Sequence, residues 1–267
     1  MEKIIDSKVK FFEKEHRYFC DEQELISVSA FVKQFEAKKD WGKIADKYAK
    51  KNGGTGAEWT QKWKEKGEKS SIIGTFYHLI REQELMAQEH PEFFGVVCNK
   101  LECEVIDGVK YSNTITNLPS NTVFPEIIIS DVDYGVCGQS DKVITTSTHI
   151  HVMDYKTDKE ITFKAFSSEW VKPEKLLEPL QHLDNCNGNL YSLKMSLYMY
   201  MLCKKNKHLK AGKIIIEHIH LKRDEEGIPM LDDAGKPIVL KIDTIELPYR
   251  RMEVIDMLKH YKALKEK

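Results

Sequence analysis

Two short segments, Gly138-Gln139-Ser140-Asp141 and Asp154-Tyr155-Lys156-Thr157, decide the fold expected of this 267-residue chain. The residues between them contain two stretches rich in β-branched and apolar side chains, Val143 to Thr146 and Ile150 to Asp154. Such stretches, separated by a short polar segment, are typical of two strands of a hairpin. The sequence therefore predicts an antiparallel hairpin that turns at Ser147-Thr148.

A hairpin with this turn places Asp141 directly opposite Asp154. Directly opposed residues have Cβ atoms roughly 4.5–5.5 Å apart, so the two carboxylates share one face. Lys156 joins that face, whereas Tyr155 points to the other. Two carboxylates this close repel each other unless a cation lies between them or one takes up a proton. A divalent metal ion is the simplest answer, although Asp and Lys also face each other on ordinary solvated hairpins.

Apolar residues around the acidic pair argue against a merely solvated hairpin. Val152 and Met153 precede Asp154, and a second apolar run, residues 127–129, lies upstream. Charged groups are rarely buried among such residues without a partner or a metal. The pair is therefore a candidate catalytic site.

Five motifs in order resemble those of the PD-(D/E)xK nuclease superfamily, in particular its RecB-like, phage-type exonuclease branch. They are the G-T-x-x-H motif at 74–78, Pro125-Glu126, the G-x-x-D motif at 138–141, the D-x-K motif at 154–157, and a helix at 189–198 similar to the Q-x-x-x-Y motif. One residue departs from the pattern, because Lys194 stands where this family carries glutamine.

The resemblance implies an α/β protein with a restriction-endonuclease-like core, in which helices flank a central mixed β-sheet. An N-terminal hairpin and a helical lobe are expected to precede this core. We predict a single domain over 1–267, divided into the N-terminal hairpin and lobe at 1–69, the catalytic core at 70–222, and a C-terminal hairpin strand and helix at 223–267. The predicted elements are a hairpin of Lys8 to Phe12 and Arg17 to Cys20, helices at 28–51, 57–67, 70–88, 189–204 and 248–267, and strands at 101–106, 122–130, 134–146, 150–156, 213–221 and 237–245.

The resemblance also implies the chemistry, which is metal-dependent hydrolysis of DNA phosphodiester bonds. Asp141 and Asp154 are expected to hold one or two Mg²⁺ or Mn²⁺ ions, with His78 and the backbone carbonyl of Tyr155 completing the ligands. Lys156 is the expected catalytic cation, orienting the attacking water or stabilising charge on the phosphate.

Glu126 is a further acidic candidate, since adjacent strands can bring it near Asp141 as a ligand or to orient a water. A glutamate at the start of a strand is also often only solvated. Thr157, Lys194 and Tyr198 are the predicted substrate contacts, with Lys194 binding phosphate in place of the family's glutamine.

His78 alone would be an unremarkable helical histidine. The small residues Gly74 and Thr75, one turn earlier, let this helix approach the sheet closely enough for the imidazole to reach a metal. An imidazole ligand favours Mn²⁺ somewhat more than an all-oxygen site does. The other histidines near the hairpin, His149 and His151, are excluded, because the first lies in the turn and the second on the opposite face.

The formal net charge of −1 does not suggest a protein that binds nucleic acid through its overall charge. Contacts to DNA must come from local lysine-rich segments, for which Lys33 to Lys51, Lys62 to Lys69 and Lys204 to Lys213 are candidates, unless these are ordinary solvated faces. Trp59 and Trp63, one helical turn apart, are more typical of packing than of base stacking.

Six cysteines occur without a C-x-x-C pair. Some RecB-like nucleases carry an iron–sulfur cluster with three cysteines after the tyrosine motif. Here only Cys203 follows Tyr198, so no iron–sulfur cluster is expected.

The rival hypothesis is a catalytically inactive nuclease-fold protein that binds DNA, and a third is a nuclease acting on RNA. An inactive member would be expected to have lost part of the Asp, Asp, Lys set, which is intact here. DNA is the expected partner, with a helicase, a single-strand annealing protein or self-association as further candidates in DNA recombination, repair or phage DNA processing. With no secretory signal and no long apolar run, the expected location is the cytoplasm of a bacterium or a phage-infected host cell, away from membranes.

Overall fold

The structure is a computed structural model, and it describes residues 9–12, 15, 17–100, 105–106, 109–111, 116–167 and 172–266. Its helices are α1 (Val28–Lys33), α2 (Trp41–Asn52), α3 (Gly56–Ala87), α4 (Asn187–Lys205) and α5 (Arg251–Lys265). Its strands are β1 (Val9–Phe12), β2 (Arg17–Cys20), β3 (Gln23–Ser27), β4 (Glu92–Phe93), β5 (Val96–Val97), β6 (Asn99–Lys100), β7 (Val105–Ile106), β8 (Val109–Tyr111), β9 (Thr122–Asp131), β10 (Val136–Thr145), β11 (His149–Lys156), β12 (Lys210–Leu221) and β13 (Val239–Leu247).

The centre of the protein is a mixed, mostly antiparallel sheet. Eleven of the described strands belong to it, in the order β13-β12-β11-β10-β3-β2-β1-β8-β7, while β9 pairs with β10 and with β6. The parallel pairs are β3–β10, β11–β12 and β6–β9. The predicted α/β class and the central mixed sheet flanked by helices are confirmed.

Helices cover both faces of the sheet, and β11 shows which side chain goes to which face. Ile150 and Val152 are buried in the large core that contains α1, α4 and α5. Met153 and Tyr155 instead pack with residues of α3, such as Leu85 and Tyr77, on the other face. Because successive side chains of a strand alternate, Asp154 points towards the α4 side.

Strand β10 has a gap on one of its edges. Val136 and Cys137 pair with β3, and Lys142 to Thr145 pair with β11, so residues 138–141 lie between these two partners. Side chains bind the main chain here instead, because the Tyr198 hydroxyl donates to the Gln139 carbonyl at 2.8 Å. Asp141 therefore lies at the end of this unpaired stretch, next to the start of the β10–β11 pairing.

The N-terminal region differs from the prediction in two ways. The predicted hairpin has a third strand, β3, which pairs with β2 and β10. The predicted helix at 28–51 is wrong as a single helix, because it is interrupted between α1 and α2. Phe35 in this interval is buried, and its carbonyl accepts a hydrogen bond from the Leu177 amide at 2.8 Å. This bond to a distant segment takes the acceptor that a continuing helix would use.

The two helices predicted at 57–67 and 70–88 are one helix, α3. It begins at a capping box in which Thr55 and Glu58 bind each other's backbone amides. Gly67 does not end it, since an internal glycine costs only about 1 kcal/mol relative to alanine. Trp59 and Trp63 pack against Tyr48 of α2, with ring centroids 4.6 and 5.5 Å away, which is the packing role predicted for them.

The remaining elements shift by a few residues. Strand β12 begins three residues before its predicted start at Lys213, and α4 begins two residues before its predicted start at Asn189. Most of the strand predicted at 101–106 lies outside the described residues, and only β7 is seen. Among the helices that the structure describes, none is both long and apolar enough to cross a membrane.

Candidate metal centre

The hairpin of β10 and β11 has the predicted register. Lys142 pairs with Met153 and Thr145 with Ile150, and the Thr146 amide donates to the His149 carbonyl across the turn at 2.9 Å. Asp141 and Asp154 are the next residues outward on this register. The two carboxylates are therefore brought together as predicted.

Asp141 is largely buried and makes two contacts through one carboxylate oxygen. Its Oδ2 accepts a hydrogen bond from the Tyr155 amide at 3.0 Å and lies 3.1 Å from His78 Nδ1. Burial on its own would raise the pKa of Asp141. The hydrogen bond from His78 and the positive charges of His78 and Lys156 outweigh it and hold the pKa well below its ordinary value. Asp141 is thus an ionised carboxylate at neutral pH.

Asp154 is more deeply buried and lies between two lysines. Lys156 Nζ is 2.5 Å from Oδ1, and Lys194 Nζ is 3.4 Å from Oδ2. Burial and then the negative charge of Asp141 raise the pKa of Asp154, while the two lysines partly counteract this. The two carboxylates thus have pKa values shifted in opposite directions, as expected for two acids that share a site.

Glu126 lies opposite Asp141 on the neighbouring strand. In the β9–β10 ladder Ile127 pairs with Ser140 and Pro125 with Lys142, and Glu126 is the intervening residue. Its φ is 49°, a left-handed conformation that costs a non-glycine residue roughly 1–2 kcal/mol. Its Oε2 accepts a hydrogen bond from Gln139 Nε2 at 2.5 Å. Such strain inside a strand is a common mark of a functional position.

His78 completes this group from the other face of the sheet. One ligand atom each of His78, Glu126 and Asp141 lie within 4.8 Å of one another. Burial on its own would lower the pKa of His78, but the hydrogen bond with Asp141 and the charges of both aspartates raise it above its ordinary value. A close approach of α3 makes this contact, since a Cβ added at Gly74 would lie 3.0 Å from Thr157 Oγ1.

A polar cavity of about 200 Å³ opens next to these residues. It is lined by Glu126, Asp141 and Lys194, among others, and by Ser27 and Ser29 from the start of α1. Asp154 and Lys156 are not part of this lining. Asp141 and Glu126 are therefore both accessible from this cavity, on the α1 side.

The predicted substrate contacts on α4 have partners within the protein. Lys194 is paired with Asp154, and burial, which lowers the pKa of a lysine, is outweighed by the charge of Asp154 so that the pKa is raised. The Tyr198 side chain is 3% exposed and its hydroxyl binds Gln139. The predicted contacts of these residues and of Thr157 with substrate stay predictions.

The predicted backbone ligand, the Tyr155 carbonyl, also has a partner. It accepts a hydrogen bond from Lys156 Nζ at 3.1 Å. His151 lies on the opposite face, stacked on Phe94 with ring centroids 4.0 Å apart, which agrees with its exclusion from the site. In the lysine-rich segment 204–213, Lys204 binds Asp131 at 2.8 Å.

Sequence reasoning missed the roles of two residues next to the site. Gln139 binds Glu126, and its position inside the G-x-x-D motif was the available signal. Tyr191 donates to both carboxylate oxygens of Asp158 at 2.9 Å, and its ring lies 5.1 Å from Lys156 Nζ. Tyr191 precedes Lys194 by three residues on α4, so the helical period was a signal for it.

Comparisons with known proteins add little to this geometry. No family model matches the chain, and no curated protein matches it. A solved structure titled "Crystal structure of SSO0001" matches with 14% sequence identity and a TM-score of 0.33, covering 90% of this chain and 76% of that chain. A similarity this weak does not bear on function.

Proposed function

We propose that this protein is a metal-dependent deoxyribonuclease that hydrolyses phosphodiester bonds, with the restriction-endonuclease-like core of the PD-(D/E)xK superfamily. The observation that carries the proposal is the convergence of His78, Glu126 and Asp141 within 4.8 Å of one another, next to the Asp154–Lys156 pair. Residues from a helix and three strands supply these groups. An exonuclease of the RecB-like, phage type is the form that the motifs favour.

The donor set fits a divalent cation. Two carboxylates and one imidazole combine the oxygen ligands that Mg²⁺ prefers with a nitrogen ligand that Mn²⁺ accepts more readily. A carboxylate oxygen of Glu126 lies within 4.8 Å of one of Asp141, and the two negative charges would repel without a cation. When bound, such an ion polarises a phosphoryl oxygen and lowers the pKa of a coordinated water.

Lys156 supplies the positive charge of the catalytic group. Its ammonium is fixed by Asp154 Oδ1 at 2.5 Å and by the Tyr155 carbonyl at 3.1 Å, and it lies over the Tyr191 ring. A cation fixed in this way can stabilise charge that develops on a phosphate without reorganising. Its role also requires Asp154, which we therefore assign as the residue that positions Lys156.

Lys194, which stands where the resemblance predicts glutamine, adds a positive charge at this position. Its ammonium compensates Asp154 Oδ2, and it also lines the cavity. A phosphate entering the cavity would meet this second positive charge next to the carboxylates. We propose that Lys194 both counteracts the rise in the pKa of Asp154 and attracts the substrate backbone.

Cleavage of labelled nucleic acid tests the proposal. End-labelled linear DNA, closed circular DNA and RNA are incubated with Mg²⁺, Mn²⁺ or EDTA, using the wild type, Lys156→Ala and the control Lys159→Ala, which changes an exposed lysine three residues away. We expect metal-dependent cleavage of linear DNA that falls at least about 100-fold in Lys156→Ala and is unchanged in the control.

Other outcomes of this assay separate the alternatives. Cleavage of circular DNA would indicate an endonuclease, and cleavage of RNA alone would replace the DNA assignment. DNA that is retained but not cleaved with any metal would refute catalysis and indicate a binding protein.

A further inference from the structure

A second group of potential metal ligands lies on strands β12 and β13. His218 and His220 are two residues apart on β12 and so point to the same face. Asp243 on β13 pairs directly with His218. One ligand atom each of these three residues lie within 4.8 Å of one another. We propose that these three residues bind a divalent metal ion such as Zn²⁺, at a site separate from the candidate metal centre.

His218 has the hydrogen bonding of a prepared ligand. Its side chain is nearly fully buried, and its Nε2 lies 2.9 Å from the Asp158 carbonyl oxygen. Because a carbonyl only accepts, Nε2 carries the proton, and in the neutral imidazole Nδ1 has the free lone pair that a metal needs. Among the described residues nothing forms a hydrogen bond with that Nδ1. Metal-binding histidines commonly donate their other ring N–H to a backbone carbonyl in this way.

His220 and Asp243 supply the exposed side of the site. His220 Nε2 lies 2.8 Å from Asp243 Oδ2, and the rings of His218 and His220 have centroids 4.1 Å apart. The side chains of His220 and Asp243 are 26% and 45% exposed, so an ion can enter from solvent. A metal ion bound at His220 Nε2 takes the place of the proton on that nitrogen, and the proton moves to Nδ1 or to solvent.

The ligand types separate this site from the candidate metal centre. Two imidazoles and one carboxylate match the three protein ligands of many zinc sites, with water in the fourth position. The candidate metal centre has more oxygen ligands and favours Mg²⁺ or Mn²⁺. His218 is the direct neighbour of Lys156 in the parallel β11–β12 pair, so the two sites share one sheet but no ligand.

Lys241 offers a test that a purely structural cluster would not pass. Its ammonium lies 2.7 Å from Oδ2 of the proposed ligand Asp243. The ammonium competes with a metal ion for the negative charge of Asp243, so removing the ammonium should strengthen metal binding. Loss of a structural ion pair would give no such gain.

Metal binding to the full chain, stripped with a chelator, tests the proposal. Equilibrium dialysis against Zn²⁺ and visible absorption with Co²⁺ are compared for wild type, His220→Ala, Asp243→Asn and Lys241→Ala. The buried His218 is left unchanged because its loss is the one most prone to disturb folding. We expect one equivalent of Zn²⁺ whose binding is weakened at least about 10-fold in His220→Ala and Asp243→Asn and strengthened in Lys241→Ala. Any further Zn²⁺ held by the candidate metal centre should be lost in Asp141→Asn.

Two control variants test where the Zn²⁺ ion binds. Asp141→Asn removes a ligand of the candidate metal centre and should leave the Zn²⁺ equivalent that depends on His220 and Asp243 unchanged, as should His90→Ala at an exposed histidine. Absence of saturable binding, or binding unaffected by His220→Ala and Asp243→Asn, would overturn the proposal. Loss of that equivalent in Asp141→Asn would place the ion at the candidate metal centre and would overturn the proposal as well.

Discussion

Replacement of Lys194 by glutamine, the residue that the resemblance leads one to expect, is predicted to destabilise the protein. In the structure Lys194 Nζ lies 3.4 Å from Asp154 Oδ2. At an effective dielectric constant of about 20, the attraction between unit charges at this distance is roughly 5 kcal/mol. Desolvation of the two charges offsets part of it, and Lys156 still compensates Asp154 in the variant. We therefore expect the free energy of unfolding to fall by about 2–3 kcal/mol, below the range for a buried charge left without any partner.

A double-mutant cycle measures this interaction. Urea unfolding at pH 8 is compared for the wild type, Lys194→Gln, Asp154→Asn and the double variant. Coupling of at least about 1 kcal/mol is expected for residues in contact. Lys207→Gln, at an exposed lysine near the end of α4, should change stability by no more than about 0.5 kcal/mol.

The cycle separates two roles for Lys194. If the single substitutions add within about 0.5 kcal/mol, the ion pair contributes nothing measurable and the reasoning above is refuted. Unchanged stability together with weaker DNA binding would show that Lys194 acts only as a phosphate contact. Because the Lys194 charge lowers the pKa of Asp154, its loss should also raise that pKa further.

Three other positions carry predictions about stability. Burial lowers the pKa of His151 from 6.5 to about 4, so the unfolded chain binds the proton more tightly than the folded protein does. The contribution of His151 to stability should therefore be full above pH 6.5 and fall by up to about 3 kcal/mol towards pH 4. In urea unfolding, His151→Gln should remove this pH dependence. Both Glu126→Gly and Glu126→Gln should abolish cleavage. The glycine variant should nevertheless be more stable than the wild type in urea unfolding, by about 1 kcal/mol in the free energy of unfolding, because glycine accepts the positive φ. Gly138→Ala should lower the free energy of unfolding by about 1–3 kcal/mol, because the new Cβ would lie 2.7 Å from the Tyr198 hydroxyl. An unchanged midpoint of thermal unfolding would contradict this packing.

The local sequence pattern was sufficient to predict the β10–β11 hairpin, whose strands are adjacent in the chain. The alternation of apolar residues and the short polar turn predicted the register of the β10–β11 hairpin, and with it the approach of Asp141 and Asp154. The same alternation placed Tyr155 on the opposite face from Lys156. A strand has a period of two, so one correct pairing fixes the face of every other residue.

Helix boundaries in the N-terminal region were less predictable. Nothing in residues 28–51 shows that Phe35 would be buried and hydrogen-bonded to Leu177, far away in the chain. Conversely, Gly67 and its neighbours suggested a break in α3 that does not occur. Both errors arise because helix propensities are small compared with the tertiary contacts that override them.

The sequence by itself determined the hairpin, the alternating faces of its strands and the residue types of the candidate metal centre. Only the tertiary structure decided that Lys194 pairs with Asp154, that Glu126 has a positive φ opposite Asp141, and that His218 lies next to Asp243. These contacts join residues that are distant in the chain, and their strength depends on burial and on neighbouring charges. Local pattern contains neither quantity, because both exist only once the strands and helices have packed.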